Sequence, residues 1–429
     1  MSDSEVSSGL GLDFWKYFTG QLISTLGTSF TMFALPLLIF KLTGSALNLG
    51  ISMAMAMLPY LLFGLIIGAW VDRVDRKRLM ILVNVALAVV MASVPAVAAT
   101  GHLTVEYIYA AEFIGSTLAI FFNSAEFAAI PSLVGSKDLV TANGRIQASY
   151  AAVSIVGPIL AGLMVAFTPL QTVLLVDAAS YVVAAISLAL VHGSFNVESP
   201  RKTTSIRADV AEGLRYVLHH PVLRNISIMM ALVNFVNTSV GAQMVLFARL
   251  RLSASYTEIG FIFACEGVGV VVLSLLAGRL RKRWSFSRVA LTALASSGVA
   301  IVLFSFSTRL AVALPLIALS AGLGALFNIN TASLRQTIVP NEMLGRVMSI
   351  AAVLAWSAIP LGALLGGIAI QKTQNVELVF AVMGVLTIAI PVAFSFTALG
   401  HADRYIEGDS HETEAIGRTV SPEVAVSRS

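Results

Sequence analysis

Charge is scarce in this chain of 429 residues. Asp, Glu, Lys and Arg make up 12% of it, about half the share of a typical soluble domain. Hydrophobic residues make up 57%. This balance excludes a water-soluble globular enzyme, a disordered chain and a coiled coil. Because a membrane-spanning helix needs about 20 mostly apolar residues, the composition accommodates roughly twelve spans.

Cysteine is almost absent, with Cys265 alone inside an apolar run. One cysteine excludes an internal disulfide and a cysteine-based metal cage. The six histidines lie outside the apolar runs and show no metal-ligand spacing. A phosphate-binding glycine loop is also missing, and no nucleophile within the runs has a plausible His and Asp partner. We therefore expect no metal, no bound cofactor, no direct use of ATP and no enzymatic activity.

Apolar runs separated by charged residues predict an all-α membrane protein with twelve transmembrane helices. Each run is long enough to cross a bilayer as a helix, and none alternates like a barrel strand. The predicted spans are 14–40, 46–70, 79–99, 104–128, 146–168, 170–191, 225–248, 257–278, 289–307, 311–334, 347–370 and 376–399.

The spans divide into an N-terminal six-helix bundle, 14–191, and a C-terminal one, 225–399. Between them lies a linker, 192–224. Apolar residues recur at helical spacing from Ile206 to Leu218 in this linker, a pattern typical of an amphipathic helix on a membrane surface. Residues 1–13 form a short polar N-terminus, and residues 400–429 form a polar tail that we expect to be disordered.

Basic residues lie almost entirely on one side of the predicted membrane. The chain has 27 Lys and Arg residues. With the N-terminus in the cytoplasm, all of them fall on the cytoplasmic side except Lys41, Arg249, Arg251, Arg309 and Lys372. Cytoplasmic loops of membrane proteins are enriched in these residues. We therefore expect both ends in the cytoplasm and a plasma-membrane location, the inner membrane of a bacterium. The net charge of +4 then requires no nucleic-acid partner.

The two halves of the chain repeat the same signals in the same order, at a nearly constant separation. A Gly near the start of span 2 recurs in span 8, a Phe-Asn pair in span 4 recurs in span 10, and two glycines of span 5 recur in span 11. The matches are Leu49-Gly50 with Ile259-Gly260, Phe122-Asn123 with Phe327-Asn328, and Gly157 and Gly162 with Gly362 and Gly366. Such repeats typically enclose a site near the middle of the bilayer and rock around it, which favours a carrier.

The segment from Gly68 to Lys77, Gly-Ala-Trp-Val-Asp-Arg-Val-Asp-Arg-Lys, resembles the loop 2–3 motif G-x-x-x-D-R-x-G-R-R/K of the major facilitator superfamily. Asp75 stands where that motif usually has glycine. The run Ile130–Val134, with Gly157-Pro158 further on, is similar to the branch that holds macrolide-efflux proteins and enterobactin-type siderophore exporters. The resemblance covers the transmembrane region and implies the major facilitator fold. We expect a monomer.

In the superfamily this loop acts as a cytoplasmic gate. The resemblance implies that role here for Gly68, Asp72, Arg73, Arg76 and Lys77. A small residue lets neighbouring helices approach closely. A carboxylate at position 72 can bind the positively polarised N-terminus of span 11, near residues 343–346. The alternative is a basic loop that only sets the topology, although such a loop does not need an acidic residue.

Span 5 partly resembles the antiporter motif g-x-x-x-G-P-x-x-G-G through Gly157, Pro158 and Gly162, while Val153 and Ala161 replace two of its glycines. Proline inside a span removes a hydrogen-bond donor and bends the helix. In the superfamily the motif accompanies export. The alternative is ordinary packing of small residues between helices.

Four carboxylates lie within the predicted spans beyond their first turn: Glu112, Glu126, Asp177 and Glu266. A charge at mid-bilayer costs about 2.5–3.5 kcal/mol on insertion scales, so each needs a polar cavity or a partner. No Lys or Arg falls in the middle of a predicted span, so we expect a cavity with acids only, which binds protons and suits cationic amphiphiles. Alternatives are a polar pair buried between helices and, for Glu126, a salt bridge to Arg145 or the loop arginines.

Spans 1, 4, 7 and 10, which line the cavity in the superfamily, also carry uncharged polar residues. These are Gln21, Asn123, Asn234, Asn237 and Asn328. Hydrogen bonding between helices is the alternative for each of them.

Together these patterns predict a secondary active exporter for hydrophobic small molecules, macrolide-like or multidrug, with the proton gradient as its energy source. Its partners are then the substrate, protons and the lipid bilayer. A siderophore or metabolite exporter and a lysophospholipid flippase are alternatives within transport. A membrane sensor is the alternative from another class.

The gate hypothesis predicts that Asp72→Asn shifts the balance between the open states without harming substrate fit, because it removes the charge that binds span 11. Distances between spin labels on the two halves measure that balance. Unchanged conformer populations in the variant would contradict the hypothesis.

Overall fold

The computed structural model describes residues 10–71, 74–193, 195 and 206–402. These residues form α-helices joined by short turns, with one 3₁₀ turn after the last of them. The helices are α1 (Leu12–Thr43), α2 (Ala46–Val71), α3 (Arg76–Ala99), α4 (Val105–Phe167), α5 (Leu170–Ala189), α6 (Ile206–His219), α7 (Pro221–Leu250), α8 (Tyr256–Arg283), α9 (Phe286–Ser305), α10 (Leu310–Ile338), α11 (Asn341–Trp356), α12 (Ile359–Thr373) and α13 (Val376–Ser395), and the 3₁₀ turn is Ala398–His401.

Twelve stretches of the described helices are long and apolar enough to cross a membrane. The all-α fold class with twelve spans is therefore confirmed. The helix predicted from Ile206 to Leu218 is α6, which packs through Leu214 and Val217 on the core of the following helices. We call residues up to 195 the N half and residues from 206 the C half. The predicted N-terminus up to residue 9 and the tail from residue 403 lie outside the described residues.

Spans 4 and 5 both lie in the single helical segment α4, which differs from the loop predicted between them. The two ends of α4 lie at the same end of the bundle as the starts of α2 and α8. The Tyr109 hydroxyl donates to the Asn48 carbonyl, 3.2 Å away, and the Thr257 hydroxyl donates to the Gly162 carbonyl, 3.4 Å away. A straight helix of 63 residues would be about 95 Å long, so the chain reverses between the two spans.

The hydrophobic cores show where the two halves touch. We call the end of the bundle with Leu10 and Ala402 the terminal end, and the opposite end the distal end. At the distal end one core contains residues of both halves, among them Phe33 and Phe247. At the terminal end one core draws only on the N half and another only on the C half. The structure therefore describes a conformation in which the halves pack on each other distally.

Two pairs of helices make the distal contact with the same geometry. Gly50 of α2 lies against the backbone of Ala363 in α12, and Gly260 of α8 lies against the backbone of Pro158 in α4. A Cβ atom at either glycine would stand 2.5 Å from the carbonyl oxygen of the facing residue. Close helix contacts in membranes depend on such small residues. The repeated glycines in the sequence thus form repeated contacts between helices.

Each of the two helix pairs has a second glycine contact, near the ends of the helices. Gly162 faces the backbone of Tyr256, and Gly367 faces the backbone of Ala46. The counterpart of Gly162 is therefore Gly367, one residue beyond the Gly366 matched in the sequence. Gly366 packs instead on a serine of α7.

Span 11 is interrupted between α11 and α12. Pro360, near the start of α12, has no N–H and leaves the carbonyl four residues earlier without its helical partner. The Asn234 side chain of α7 donates to the adjacent Ala355 carbonyl at 2.9 Å. Irregular backbone inside a membrane protein is tolerated where neighbouring helices satisfy the freed groups. Asn234 thus stabilises the break in span 11.

The glycine contacts predict that Gly260→Leu prevents distal closure, because the added side chain meets the α4 backbone. Spin labels at His102→Cys and Thr308→Cys, in a Cys265→Ala background, report the distal distance between the halves. We expect a longer distance in the Gly260→Leu variant. Gly278→Leu is the matched control in the same helix, since nothing lies within 4 Å of a Cβ there. Equal distance distributions in the two variants would contradict the packing account.

Candidate functional site

Glu266 lies midway along α8 and has no hydrogen-bond partner among the described residues. The helix packs on α4 through Gly267 and on α10 through Gly269. Between those two contacts, Phe263 meets Phe33 of α1 with ring centroids 6.2 Å apart. Glu266 follows Phe263 by three residues and so lies on the same face of the helix, since side chains three and four apart share a face. Its half-buried carboxylate therefore faces the space between the halves.

Glu112 also has an unused acceptor. Its Oε1 accepts a hydrogen bond from the Ser52 hydroxyl of α2 at 2.7 Å. Its Oε2 is buried and has no partner. A buried acceptor without a hydrogen bond is unfavourable, so this oxygen favours a proton or another donor. Glu112 and Glu266 thus offer carboxylate oxygens that are free to bind.

Asp177 differs from these two because its carboxylate is saturated. It is fully buried, 0% exposed, between α5 and α1. It accepts hydrogen bonds from the hydroxyls of Thr28, Thr31 and Ser180, all within 3.4 Å. This arrangement favours the alternative of a polar link between helices over a proton or substrate role.

Glu126 is buried near the terminal end of the N half and accepts a short hydrogen bond from the Tyr17 hydroxyl of α1. The salt bridge considered between Glu126 and Arg145 does not form in the described structure. The Arg145 guanidinium instead lies over the Trp15 ring, 5.1 Å from its centroid. The partner of Glu126 is thus a neutral phenol.

The uncharged polar residues fall into two groups. Asn123 and Asn328, the pair matched by the repeat, are both exposed, and the Asn123 amide lies 3.5 Å from the Tyr60 hydroxyl. Asn234 bonds to span 11, as described above, and Asn237 accepts from the Thr387 hydroxyl of α13 at 3.1 Å. Asn234 and Asn237 thus form hydrogen bonds between helices, which was the alternative for them.

Gln21 lies half-buried in α1, where its backbone carbonyl accepts from the Thr25 hydroxyl at 2.8 Å. Its position on a helix that contacts both halves is compatible with the predicted role. No described contact of its side chain decides between that role and packing.

Of the five gate residues, Asp72, Arg73 and the surroundings of Gly68 lie outside what the structure describes. The Lys77 ammonium donates to the Val191 carbonyl, and the Arg76 guanidinium donates to the Phe195 carbonyl at 3.3 Å. Both bonds tie the loop to the end of the N half. The departure from the motif also has a physical reason, because Asp75 is the N-cap of α3 and accepts from the Arg78 amide at 3.0 Å.

The residues of the antiporter-type motif act as packing surfaces. Gly157 lies against Ser29 of α1, while Pro158 and Gly162 lie against α8. At these positions the structure thus shows the packing of small residues between helices, which was the alternative. Since α8 belongs to the other half, the motif also forms part of the distal contact between the halves.

Arg335 is a buried cation that the sequence assigned to a loop. Helix α10 continues to Ile338, so Arg335 lies inside it, with 5% of its surface exposed. Its Nη2 atom donates to the Met230 sulfur, and its Nε atom is buried without a partner. Acids are therefore not the only buried charges among the described residues, although Arg335 lies in the last turn of its helix and not in the middle of a span. No hydropathy signal separates this position from the loop that follows.

An aromatic pair between the two halves was also not predicted from the sequence. Tyr60 of α2 meets Trp356 of α11 edge to face, with ring centroids 6.4 Å apart. Trp356 is the last residue before the break in span 11 and is 53% exposed. The pair lies beyond the Gly50 contact, on the side towards the terminal end. It therefore forms part of the wall between the halves.

A separate polar pocket of about 390 Å³ lies at the distal end. Gly44–Ala46 of the N half, and Gln371 and Gln374–Glu377 of the C half, are among the residues that line it. Arg251 and Glu377, both in its lining, form an ion pair, 2.9 Å from Nη2 to Oε2. Because it lies outside the packed distal contact, this pocket is distinct from the space that Glu266 faces.

Twelve spans in two similar halves, with the Glu266 carboxylate facing the space between them, define a major facilitator transporter. Residues 13–425 match the family described as "Transmembrane secretion effector". The chain belongs to this family, in the efflux branch of the superfamily. It is a multi-pass membrane transporter, which agrees with the expectation that it is not an enzyme.

Two relatives illustrate the branch. The chain is 30% identical over 357 residues to the multidrug efflux pump Tap of Mycolicibacterium fortuitum, covering 80% of this chain and 85% of that protein. It is 25% identical over 396 residues to macrolide efflux protein A of Streptococcus pyogenes, covering 89% of this chain and 95% of that protein.

Solved structures share the fold at low sequence identity. A bacterial homologue of the human lysosomal transporter Spinster, in an inward-facing and unoccupied conformation, superposes with a TM-score of 0.74 at 13% identity, covering 92% of this chain and 97% of that one. A bacterial homologue of the iron transporter ferroportin, in an inward-facing state, gives 0.71 at 17% identity, covering 90% and 98%. These likenesses concern the fold alone.

Asp177 accepts several hydrogen bonds and Glu266 accepts none in the described structure, so replacing each by alanine should change the thermal stability of the protein differently. Asp177→Ala leaves the buried Thr31 hydroxyl without its described acceptor, and an unsatisfied buried group costs about 1–3 kcal/mol. The hydroxyls of Thr28 and Ser180 lose a bond but keep the Tyr181 hydroxyl and the backbone carbonyl of residue 177 as partners. We expect a clear fall in the thermal unfolding midpoint of the purified protein in detergent. Glu266→Ala removes no hydrogen bond and is expected to leave the midpoint unchanged or raise it. A larger loss for Glu266→Ala than for Asp177→Ala would contradict these assignments.

Proposed function

We propose that the protein is a proton-coupled exporter that moves hydrophobic small molecules, macrolide-like or multidrug, out of the cytoplasm by alternating access. The observation that carries this proposal is the Glu266 carboxylate, which faces the space between the halves and has no hydrogen-bond partner in the described part of the chain. A carboxylate in apolar surroundings is costly to keep ionised. It therefore takes up a proton, or binds a cationic substrate, when either is available.

Competition between a proton and the substrate for Glu266 couples export to proton entry. When the site is empty, the neutral protonated acid is the favoured form in this environment. A cationic or strongly polar substrate favours the ionised form and displaces the proton. Because each ligand shifts the equilibrium according to its differential affinity for the two states, exchange of one for the other links export to proton entry. The free Oε2 of Glu112 is a second group that can hold a proton.

The distribution of charge supports the proposed orientation, with the terminal end in the cytoplasm. The terminal end carries Lys16, Arg76 and Lys77, together with the basic end of α8. Basic residues concentrate on the cytoplasmic side of membrane proteins. With the terminal end in the cytoplasm, the distally closed conformation is the one in which an exporter takes up its substrate.

The lining of the space supports a lipophilic substrate. Phe33 and Phe263 lie next to the face of Glu266, and Tyr60 and Trp356 form the wall between α2 and α11. Aromatic rings offer large apolar contact areas and attract cations over their faces. The names of the relatives, a multidrug pump and a macrolide efflux protein, agree with this substrate class.

Expression in an efflux-deficient bacterium tests the proposal with a panel of macrolides, dyes and cationic drugs. We expect wild-type protein to raise the inhibitory concentration of at least one compound. Glu266→Gln, at equal expression, is expected to lower proton-driven efflux of that compound by at least about tenfold. Glu106→Gln, the same change at an exposed glutamate at the start of α4, is the matched control and is expected to keep the wild-type efflux.

Full resistance from Glu266→Gln would remove Glu266 from the mechanism. No shift for any compound with the wild-type protein would contradict drug export. It would favour a dedicated exporter of a metabolite, siderophore or lipid, which metabolite profiling would then address.

A further inference from the structure

A hydrophobic groove of about 600 Å³ runs between α3 and α5 on the outer surface of the N half. Ala88 and Ala185 in its lining are buried, whereas Val89 and Ile186 are more than half exposed. Both helices are long and apolar enough to span the membrane. Exposed side chains in the middle of such helices contact lipid. The groove therefore opens towards the hydrocarbon of the bilayer.

The length of the groove matches the depth of one leaflet. Its lining extends from Ile81 to Ala92 in α3 and from Ala178 to Ala189 in α5. Each of these stretches of helix is about 17 Å long. One leaflet contributes about half of the hydrocarbon core, which is about 30 Å thick. An acyl chain from a single leaflet therefore fits the groove in length, whereas a helix of another chain crosses both leaflets.

The groove ends next to a basic residue at the terminal end. There the start of α3 lies beside the end of α5, since the Lys77 ammonium donates to the Val191 carbonyl. Arg78 precedes Ile81 by three residues and so continues the side of α3 that lines the groove. The basic residue thus lies at the level where the head group of a lipid in that leaflet is expected.

The Arg78 guanidinium has donors to spare. Its side chain is 85% exposed, and its ion pair with Asp75 joins Nε to Oδ2 over 3.6 Å. An exposed pair of this length contributes little to stability, and the two Nη groups are not used in it. Guanidinium groups bind phosphate through two parallel hydrogen bonds. Arg78 is therefore suited to the phosphate of a lipid whose acyl chain lies in the groove.

The corresponding helices of the C half pack differently. These are α9 and α13, where a Cβ atom at Gly298 would lie 2.7 Å from the Gly384 carbonyl oxygen. At the separation found for spans 2 and 8, the counterpart of Gly298 is Ala88, and at the separation found for spans 5 and 11, the counterpart of Gly384 is Ala179. Both alanines line the groove. Alanine prevents the close approach that a glycine pair allows, which leaves room between α3 and α5.

We propose that the groove binds one anionic phospholipid from the leaflet at the terminal end, with an acyl chain between α3 and α5 and the phosphate on Arg78. Acyl chains find equally apolar surroundings in the bilayer, so the head group provides the selectivity and the groove provides the position. Basic residues at the ends of transmembrane helices attract anionic head groups in this way. The inference depends on the membrane fold and not on the proposed export activity.

Photolabelling of the full chain in phosphatidylcholine nanodiscs tests the site. The probe is phosphatidylglycerol with a diazirine in its acyl chain, added as a minor component, and labelled peptides are identified by mass spectrometry after irradiation. We expect labelling of α3 and α5 in excess of α9 and α13. Phosphatidylcholine with the same diazirine chain is expected to label α3 and α5 about fivefold less. Equal labelling by the two lipids, or equal labelling of the two helix pairs, would overturn the proposal.

Replacing the arginine tests the head-group contact. Arg78→Gln is expected to lower labelling of α3 and α5 by phosphatidylglycerol about fivefold, because it removes one basic residue at the membrane surface. Arg288→Gln is the matched control, since Arg288 is the exposed arginine at the corresponding position of α9. We expect it to leave the labelling unchanged. Full labelling of Arg78→Gln, or an equal loss in both variants, would contradict the assignment of the phosphate to Arg78.

Filling the groove tests the position of the acyl chain. Ala179→Trp places a large side chain in the lining and is expected to abolish the excess labelling of α3 and α5. Val183→Trp is the matched control, because Val183 is exposed on the same helix and is not part of the lining. Equal thermal unfolding midpoints of the two variants show that both fold. Unchanged labelling of Ala179→Trp would overturn the proposal, and so would a dimer that only this variant dissociates, since a second copy would then occupy the groove.

Discussion

Hydrocarbon offers no hydrogen bonds, so every polar group inside the spans has to find its partner within the protein. Most of this structure satisfies that requirement. Asn234 donates to the carbonyl at the break in span 11, and three hydroxyls surround the Asp177 carboxylate. Against this background the free oxygens of Glu112 and Glu266 stand out. Groups that a membrane protein leaves unsatisfied are the ones free to bind protons and substrates.

The same constraint determines how the two halves can move against each other. Their distal contact is built largely from glycines that lie against backbone, such as Gly50 on Ala363 and Gly260 on Pro158. A contact of this kind depends on shape rather than on hydrogen bonds. It can therefore open without leaving many polar groups unpaired in the membrane.

The sequence was sufficient for the fold, because runs of about 20 apolar residues leave the chain little choice but to form spanning helices. It also revealed the repeat, since the glycines that make the symmetric contacts recur at a nearly constant separation. It could not distinguish Asp177 from Glu266, which both look like lone acids in apolar runs. The difference lies in hydroxyls that α1 brings to Asp177 from about 150 residues away along the chain. Arg335 was missed for a similar reason, because a basic residue near the end of an apolar run normally marks a loop.

Proton release on substrate binding tests the central claim most directly. Purified protein in a weakly buffered detergent solution is mixed with a lipophilic cation such as rhodamine 6G, and a pH-sensitive dye records released protons while the change in rhodamine fluorescence records binding. If proton and substrate compete for Glu266, binding to the wild-type protein releases protons and binding to Glu266→Gln does not. Binding to the wild-type protein without proton release, or equal release from the variant, would contradict the account.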